Sequence, residues 1–326
     1  MLTRATLLEL LACHGTPGDE SEVRVVLERA WRAAGLRIEC CGDYAVCAAA
    51  PARGRQPVLL ICAHMDSPGF AVDRVSVAGV RCGAAGLTRL GHPSFNGARV
   101  AGVLKTRGGR TPVVIRRRRR GGEDDFLCAP APPARRLPGD LDHGDRVCFA
   151  GAPEVAGDIV AAPFLDNRLG CWLLAEVAPL IAGWRGTHRV VLGATAAEEM
   201  GGFGAAVLAR QVAPDLAIVL DATYEAPAQG VRLGGGPVLT LSDASVLLSP
   251  ARRDGIRACL AAAGVPLQTE VYNYSGTDAR AFPYQGLACP VLPLLLPTTG
   301  NHTPRETADL RDAAHLLTAL AALART

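Results

Sequence analysis

Residues 190–205 read VVLGATAAEEMGGFGA and join a short β-branched run to two adjacent carboxylates. The run at residues 190–192 is typical of a buried strand, and Glu198 and Glu199 follow where that strand should end. Because neighbouring side chains diverge on regular structure, one carboxylate can bind a metal while the other carries a proton. An ordinary capping box, with Thr195 as N-cap and Glu198 three residues later, is the structural alternative.

Patterns of strands and helices alternate around this stretch, from residue 161 to the last residues. The predicted helices cover residues 169–182, 203–211, 252–263 and 310–323, and the predicted strands cover residues 190–192, 216–220, 237–241, 268–272 and 290–295. Such alternation predicts an α/β fold with a mostly parallel central sheet flanked by helices. Ligands of such sheets bind beyond the carboxyl ends of the strands, so polar residues there are the candidates for function.

An earlier apolar run, PVLLICA at residues 57–63, predicts a central strand covered on both faces. It ends in His64-Met65-Asp66, and residues two apart on an extended strand point to the same side. A histidine that binds a metal through one ring nitrogen is commonly oriented at the other by a carboxylate or carbonyl, and Asp66 is the residue that we expect to have this role. A lone buried histidine beside a surface aspartate is the alternative.

The segment at residues 74–156 changes character, with short β-rich stretches, many glycines and no long helical pattern. It predicts a small all-β domain inserted into a larger domain that is formed by residues 1–73 and 157–326. Five consecutive arginines at residues 116–120 lie within it, followed by acidic residues at 123–125. No aromatic residue interleaves with the arginines, so a solvated hairpin tip is favoured over a site for nucleic acid or an acidic partner.

The composition of the 326 residues, 49% hydrophobic and 20% charged, is that of a globular protein of about two domains. A net charge of +3 is too small to indicate a nucleic-acid or membrane partner, and no apolar run approaches the roughly 18 residues of a membrane span. The 11 cysteines are odd in number and form no CxxC pair, which is typical of reduced thiols. With no signal-peptide pattern at the start, we expect a cytoplasmic protein.

Metal-ligating side chains recur at the predicted carboxyl edge of the sheet. They are His64, Asp166, Glu198, Glu199, Asp221 and His302. Histidines and carboxylates without a nearby thiolate are typical ligands of zinc, cobalt or manganese. Because a carboxylate has two oxygens and can bridge two ions, this set is compatible with a binuclear site.

The order of these residues resembles that of the M42 family of metallo-aminopeptidases, which includes the glutamyl and the tetrahedral (TET) aminopeptidases. The motifs that carry the resemblance are His64-x-Asp66, Asp166-Asn167-Arg168, Glu198-Glu199, Asp221 and His302, with Thr16-Pro17-Gly18 and Gly276-Thr277-Asp278-Ala279. Three stretches depart from the usual family residues and border the expected pocket, namely Asn167, the pair Ser67-Pro68 and residues 297–301.

The resemblance implies a role for each candidate residue. Asp166 is expected to bind both metals. His64 and Asp221 are expected to complete the ligands of one metal, and Glu199 and His302 those of the other. The resemblance also implies that Glu198 is the general base and that Asp66 orients His64.

These roles imply a metal-dependent exopeptidase with a zinc-peptidase-like fold, which removes N-terminal residues from short peptides with two zinc or cobalt ions. The family further implies a dimer or dodecamer, with the insert at residues 74–156 serving dimerisation and substrate gating. Two alternatives remain: a metal-dependent hydrolase of another amide bond, such as a deacylase or carboxypeptidase-like enzyme, and an inactive relative that serves assembly. A serine hydrolase is disfavoured because the chain has no GxSxG motif.

Overall fold

The computed structural model describes residues 2–51, 54–75, 83–120 and 123–325. Its described part contains a large mixed sheet with helices packed on both faces and a smaller closed barrel. The helices are α1 (Arg4–Ala12), α2 (Ser21–Ala33), α3 (Leu165–Ala182), α4 (Phe203–Val212), α5 (Pro250–Ala262), α6 (Ala281–Tyr284) and α7 (Leu310–Leu323). None of the described helices is both long enough and apolar enough to span a bilayer.

The strands divide between the sheet and the barrel. Those of the sheet are β1 (Arg37–Cys41), β2 (Ala45–Ala49), β3 (Val58–His64), β10 (Glu154–Ala156), β11 (Ile159–Ala162), β12 (Arg189–Thr195), β13 (Leu216–Tyr224), β14 (Val238–Ser242), β15 (Gln268–Val271), β16 (Val291–Thr299) and β17 (Glu306–Asp309). Those of the barrel are β4 (Gly69–Arg74), β5 (Ala85–Leu90), β6 (Arg99–Thr106), β7 (Gly109–Arg120), β8 (Glu123–Pro130) and β9 (Arg146–Phe149).

The sheet is parallel at its centre and antiparallel at its flanks. The four strands β12, β3, β13 and β16 are parallel neighbours, whereas β1 and β2 on one side and β17, β11 and β10 on the other are antiparallel. The prediction of a mostly parallel sheet is therefore correct for the four central strands and wrong for the sheet as a whole. Short turns join β1 to β2 and β10 to β11, and such turns can connect only antiparallel strands.

The central strands are covered on both faces, as the continuous apolar runs predicted. Along β12, Val190 and Leu192 pack into the core beneath α1, α2, α3 and α7, while Val191 packs on the opposite face beside α4. Strand β3 alternates in the same way, with Ile61 on the first face and Cys62 on the second. This two-sided burial holds the carboxyl ends of both strands at one edge, where Thr195 lies opposite His64 in the register.

The barrel closes in the order β4-β5-β8-β7-β6-β9 around an aromatic core. Phe70 contacts Phe126 and Phe149 with ring centroids 5.2 and 6.1 Å apart. The barrel strands lie between Gly69 and Phe149, and β10 pairs with β11 in the main sheet. The division of the chain at residues 74 and 156 remains a prediction.

The arginine run occupies the end of β7 and pairs antiparallel with the acidic start of β8. Arg118 lies opposite Asp125, and Arg119 lies opposite Asp124 in the strand register. Arg117 also comes within 4.0 Å of the Asp124 carboxylate. This arrangement is that of a charged hairpin, as predicted from the basic run with acidic residues close behind it.

Candidate metal centre and active site

The predicted site residues lie on five loops or strand ends at one edge of the central sheet. His64 ends β3, Glu198 and Glu199 lie in the turn after β12, and His302 follows β16. Asp166 lies in the first turn of α3. Asp221 lies inside β13 and not after it, because that strand continues to Tyr224 alongside β16. The structure thus brings together side chains that are far apart in the chain.

The first cluster of donor atoms is formed by His64, Asp166 and Asp221. His64 Nε2 lies 3.1 Å from Asp221 Oδ1 and 3.4 Å from Asp166 Oδ1. The three donor atoms lie within 4.8 Å of one another, and His64 is only 2% exposed.

The second cluster is formed by Asp166, Glu199 and His302. His302 Nε2 lies 3.3 Å from Glu199 Oε1 and 3.5 Å from Asp166 Oδ2. Asp166 therefore belongs to both clusters and directs one carboxylate oxygen to each. A ligand that bridges two ions needs this arrangement, in which each carboxylate oxygen faces one cluster.

The donor atoms fit divalent cations. Asp166 Oδ1 is buried and has no hydrogen-bond partner among the described residues, although a buried carboxylate oxygen without one is costly. The two clusters hold three carboxylates against two histidines, and divalent cations would balance that negative charge. Oxygen and imidazole donors without a thiolate suit zinc, cobalt or manganese.

The pKa values of these groups are set by their burial and by the charges around them. Burial disfavours the charged form of His64, but Asp221 and Asp166 outweigh this effect and raise its pKa well above the usual value. Burial and the charge of Asp166 raise the pKa of Glu199 well above its usual value. Burial also acts to raise the pKa of Asp166, yet the two histidines hold it below the usual value. Protons and cations therefore compete for this site.

Asp66 supports both the first histidine and the carboxylate pair. Its carboxylate accepts the backbone N–H of Glu198 at 3.0 Å and that of Glu199 at 3.1 Å. His64 Nδ1 lies 3.0 Å from the Asp66 carbonyl oxygen and 3.7 Å from its carboxylate. The expected contact with His64 is thus made mainly through the backbone, while the carboxylate holds the turn after β12.

Three further acidic or basic residues support the site and were not predicted. Glu306 accepts the backbone N–H of Asp166 at 2.8 Å and that of His302 at 2.9 Å. Glu20 accepts the backbone N–H of Ala197 at 3.1 Å. Arg280 lies 3.2 Å from Glu198 Oε1. Apart from the contact between Glu306 and His302, which are four residues apart, these contacts join distant segments of the chain, so spacing in the sequence carries no signal for them.

A family model described as M42 glutamyl aminopeptidase matches residues 140–318, which include five of the six predicted metal-site residues. The chain belongs to the M42 glutamyl aminopeptidase family. A putative aminopeptidase of Acetivibrio thermocellus is 31% identical over 178 residues, which are 53% of this chain and 53% of that relative. The chain thus spans about half the length of the curated relatives that it matches in this way.

Solved structures show the same fold over nearly the whole M42 chain. A TET aminopeptidase from a marine sediment Thaumarchaeota archaeon has a TM-score of 0.88 at 22% identity, with 99% of this chain and 96% of that one covered. The Pyrococcus horikoshii TET1 peptidase, described as assembling into a tetrahedron or a large octahedral shell, has a TM-score of 0.83 at 22% identity. That match covers 98% of each chain. At these identities the likeness concerns the fold alone.

The residues that differ from the usual M42 residues form hydrogen bonds within this chain. Asn167 donates to the Leu220 carbonyl at 2.8 Å and accepts the Gly170 N–H at 3.0 Å, so both ends of its amide are used. Ser67 donates to the Asp166 carbonyl at 2.6 Å. Within residues 297–301, Thr298 donates to Asn301 Oδ1 at 2.7 Å. All three departures thus stabilise segments that carry metal-site residues.

A cavity of about 360 Å³ opens onto the predicted metal-site residues of the M42 chain. The barrel contributes His92 to its wall from the loop after β5. Gly91 in this loop has φ of 69°, and a Cβ there would come within 3.0 Å of Glu199 Oε2. Glycine therefore allows the barrel loop to approach the carboxylate closely.

Proposed function

We propose that this chain is a binuclear-metal aminopeptidase that removes N-terminal residues from short peptides. The observation that carries the proposal is the position of Asp166, whose two oxygens face two separate clusters of imidazole and carboxylate donors. Membership of the M42 glutamyl aminopeptidase family supports the choice of reaction.

Two divalent ions, zinc or cobalt, would share Asp166. His64 and Asp221 would complete one set of ligands, and Glu199 and His302 the other. Bound there, such ions lower the pKa of water from 15.7 towards about 7 and polarise the scissile carbonyl.

Glu198 is the general base of the proposed reaction. Burial raises the pKa of this carboxyl well above its usual value, and the charges of Asp278 and Asp221 raise it further, so Glu198 readily accepts a proton. It takes the proton of the attacking water and returns it to the departing amine. Asp66 fixes the backbone of Glu198, and Arg280 contacts one of its oxygens, so the carboxylate is oriented for both transfers.

We further propose that the chain self-assembles in the cytoplasm. The solved P. horikoshii TET1 peptidase forms tetrahedral or octahedral shells, which supports a homo-oligomer, either a dimer or a dodecamer. The inserted domain at residues 74–156 would mediate dimerisation and gate the substrate, since its His92 loop borders the cavity. The ten described cysteines are free thiols, as in proteins of reducing compartments. Light scattering on the intact chain and on a chain without residues 75–155 tests whether the inserted domain mediates dimerisation. An equal subunit number in both would refute this role.

The decisive experiment compares peptide and amide substrates with the purified, metal-loaded chain. We expect hydrolysis of aminoacyl 4-nitroanilides with a free amine, no hydrolysis of their N-acetylated forms, and loss of activity on exhaustive chelation. Glu198→Gln should lower kcat by about 10² to 10⁴ with metal content unchanged. Preference for acylated substrates would favour the deacylase or carboxypeptidase-like alternative, and no turnover with any substrate would favour an inactive assembly protein.

A further inference from the structure

Besides Glu198, the wall of the cavity carries two carboxylates that are not part of the metal clusters, Asp243 and Glu270. Glu270 is 4% exposed and accepts the hydroxyls of Thr223 and Thr240, each at 2.7 Å. Asp243 Oδ1 accepts the backbone N–H of Ser245 at 2.6 Å, together with that of Val246, and its second oxygen has no such donor. Both carboxylates are held in place by neutral donors.

No described lysine or arginine forms an ion pair with either carboxylate. Arg280 is the single lysine or arginine among the described residues that line the cavity, and its guanidinium contacts Glu198 at 3.2 Å. Burial raises the pKa of both Asp243 and Glu270, although the charge of Arg280 acts to lower that of Asp243. A cation that enters the cavity would find both carboxylates available.

Glu270 lies on β15 and contacts β13 at Thr223. Asp221 and Thr223 are two residues apart on β13, so they share a face and lie about 7 Å apart along it. The Glu270 carboxylate therefore lies beside the strand position that follows the proposed metal ligand Asp221 on the same face. The α-ammonium of a bound peptide is separated by one carbon from the scissile carbonyl, whereas the ammonium of a lysine side chain extends four methylene groups further.

Tyrosine rings also form part of the cavity wall. Tyr224 and Tyr272 have ring centroids 6.1 Å apart, and Tyr272 and Tyr274 have centroids 5.8 Å apart. All three line the cavity. Aromatic faces pack against the methylene groups of a long side chain and attract its cationic end.

We propose that Glu270 and Asp243, with the tyrosines beside them, form a specificity pocket for a cationic side chain, so that the preferred substrates are peptides with N-terminal lysine or arginine. The inference rests on the proposed aminopeptidase activity and names the substrate class of that site.

The test compares lysyl and norleucyl 4-nitroanilides, because norleucine has the lysine stem without the ammonium. We expect kcat/KM for lysine to exceed that for norleucine by at least about tenfold, the factor that one charge-assisted hydrogen bond supports. Glu270→Gln should lower this ratio by about tenfold and leave the norleucyl value unchanged, since glutamine can still bond to both threonines. Asp254→Asn removes an exposed carboxylate on α5 and should leave the ratio unchanged.

The other possible results contradict either the specificity pocket or the proposed function. A wild-type ratio near one, or a ratio that Glu270→Gln does not change, overturns the specificity pocket. An equal loss with both substrates would assign the carboxylates to the α-ammonium and also overturn it. If Glu270→Gln does not fold, Asp243→Asn takes its place with the same expected fall in the ratio. Failure of the wild-type enzyme to cleave any aminoacyl substrate defeats the proposed function itself, which is a distinct result.

Discussion

The carboxylate of Asp66 accepts the backbone N–H of Glu198 at 3.0 Å, which joins the residue after β3 to the turn after β12. Its other oxygen accepts the N–H of Glu199 at 3.1 Å. Because Asp66 is fully buried, these two bonds are shielded from water and fix the proposed base and a proposed metal ligand together.

Asp66→Asn should therefore impair catalysis and metal binding together. Asparagine has one acceptor oxygen where aspartate has two, so one of the two backbone N–H groups loses its partner. We expect a loss of about 10- to 100-fold in kcat/KM or in metal affinity, measured by steady-state kinetics and by metal titration. Asp254→Asn on the surface of α5 is the control and should match the wild type. Wild-type kinetics in Asp66→Asn would contradict this role.

The shared position of Asp166 predicts unequal metal contents in three variants. Asp166→Ala should retain almost no metal, because both sites lose a ligand, while Asp221→Ala and His302→Ala should each retain roughly one ion per chain. The measurement is elemental analysis after dialysis against metal-free buffer, with Asp254→Ala as the control. An Asp166→Ala chain that still held roughly two ions would rule out a bridging carboxylate.

Glu306 should be needed for stability as well as for the site. It is 1% exposed, and its two oxygens accept the backbone N–H groups of Asp166 and His302. Glu306→Gln removes one of these acceptors, so the free energy of unfolding should fall by about 1 to 3 kcal/mol, with weaker metal binding. Urea unfolding checks the first effect. Glu154→Gln, which breaks only the exposed contact with Arg305, should change stability by less than about 1 kcal/mol.

His14 should make the fold less stable in acid. Burial lowers the pKa of this side chain to about 3, with a further contribution from the charges of Lys105 and Arg110. The unfolded chain binds a proton below about pH 6.5 that the folded chain does not, so stability falls by about 1.4 kcal/mol per pH unit between those values. Between pH 7.5 and pH 5 the free energy of unfolding of His14→Gln should therefore fall by about 2 kcal/mol less than that of the wild type. Urea unfolding with chelator present measures this difference.

The control for the acid experiment is His143→Gln, since His143 is exposed in the barrel. This variant should follow the pH dependence of the wild type. Equal slopes for His14→Gln and the wild type would show that His14 is protonated equally in the folded and unfolded chains.

The elements of the central sheet could be predicted from the sequence because their apolar runs are continuous. Residues 190–192 and 57–63 correspond to β12 and β3, whose side chains are buried on both faces. The antiparallel flank formed by β10, β11 and β17 could not be predicted, because these are short strands of three or four residues with no distinctive pattern. Their pairing is decided by what they pack against.

The sequence by itself determined the kinds of candidate ligand, since residue type sets donor chemistry, and it placed His64 and the pair Glu198-Glu199 at strand ends, whereas the strand that carries Asp221 continues past the end of its apolar run. Only the tertiary structure decided that Asp166 lies between the two clusters, that Asp66 holds Glu198, and that Glu306 joins Asp166 to His302. Two of these contacts, Asp66 to Glu198 and Asp166 to Glu306, connect residues more than 100 positions apart, and the register of β3 beside β12 and β13 determines which side chains meet. Distances of a few ångströms between such loops depend on the packing of the whole sheet.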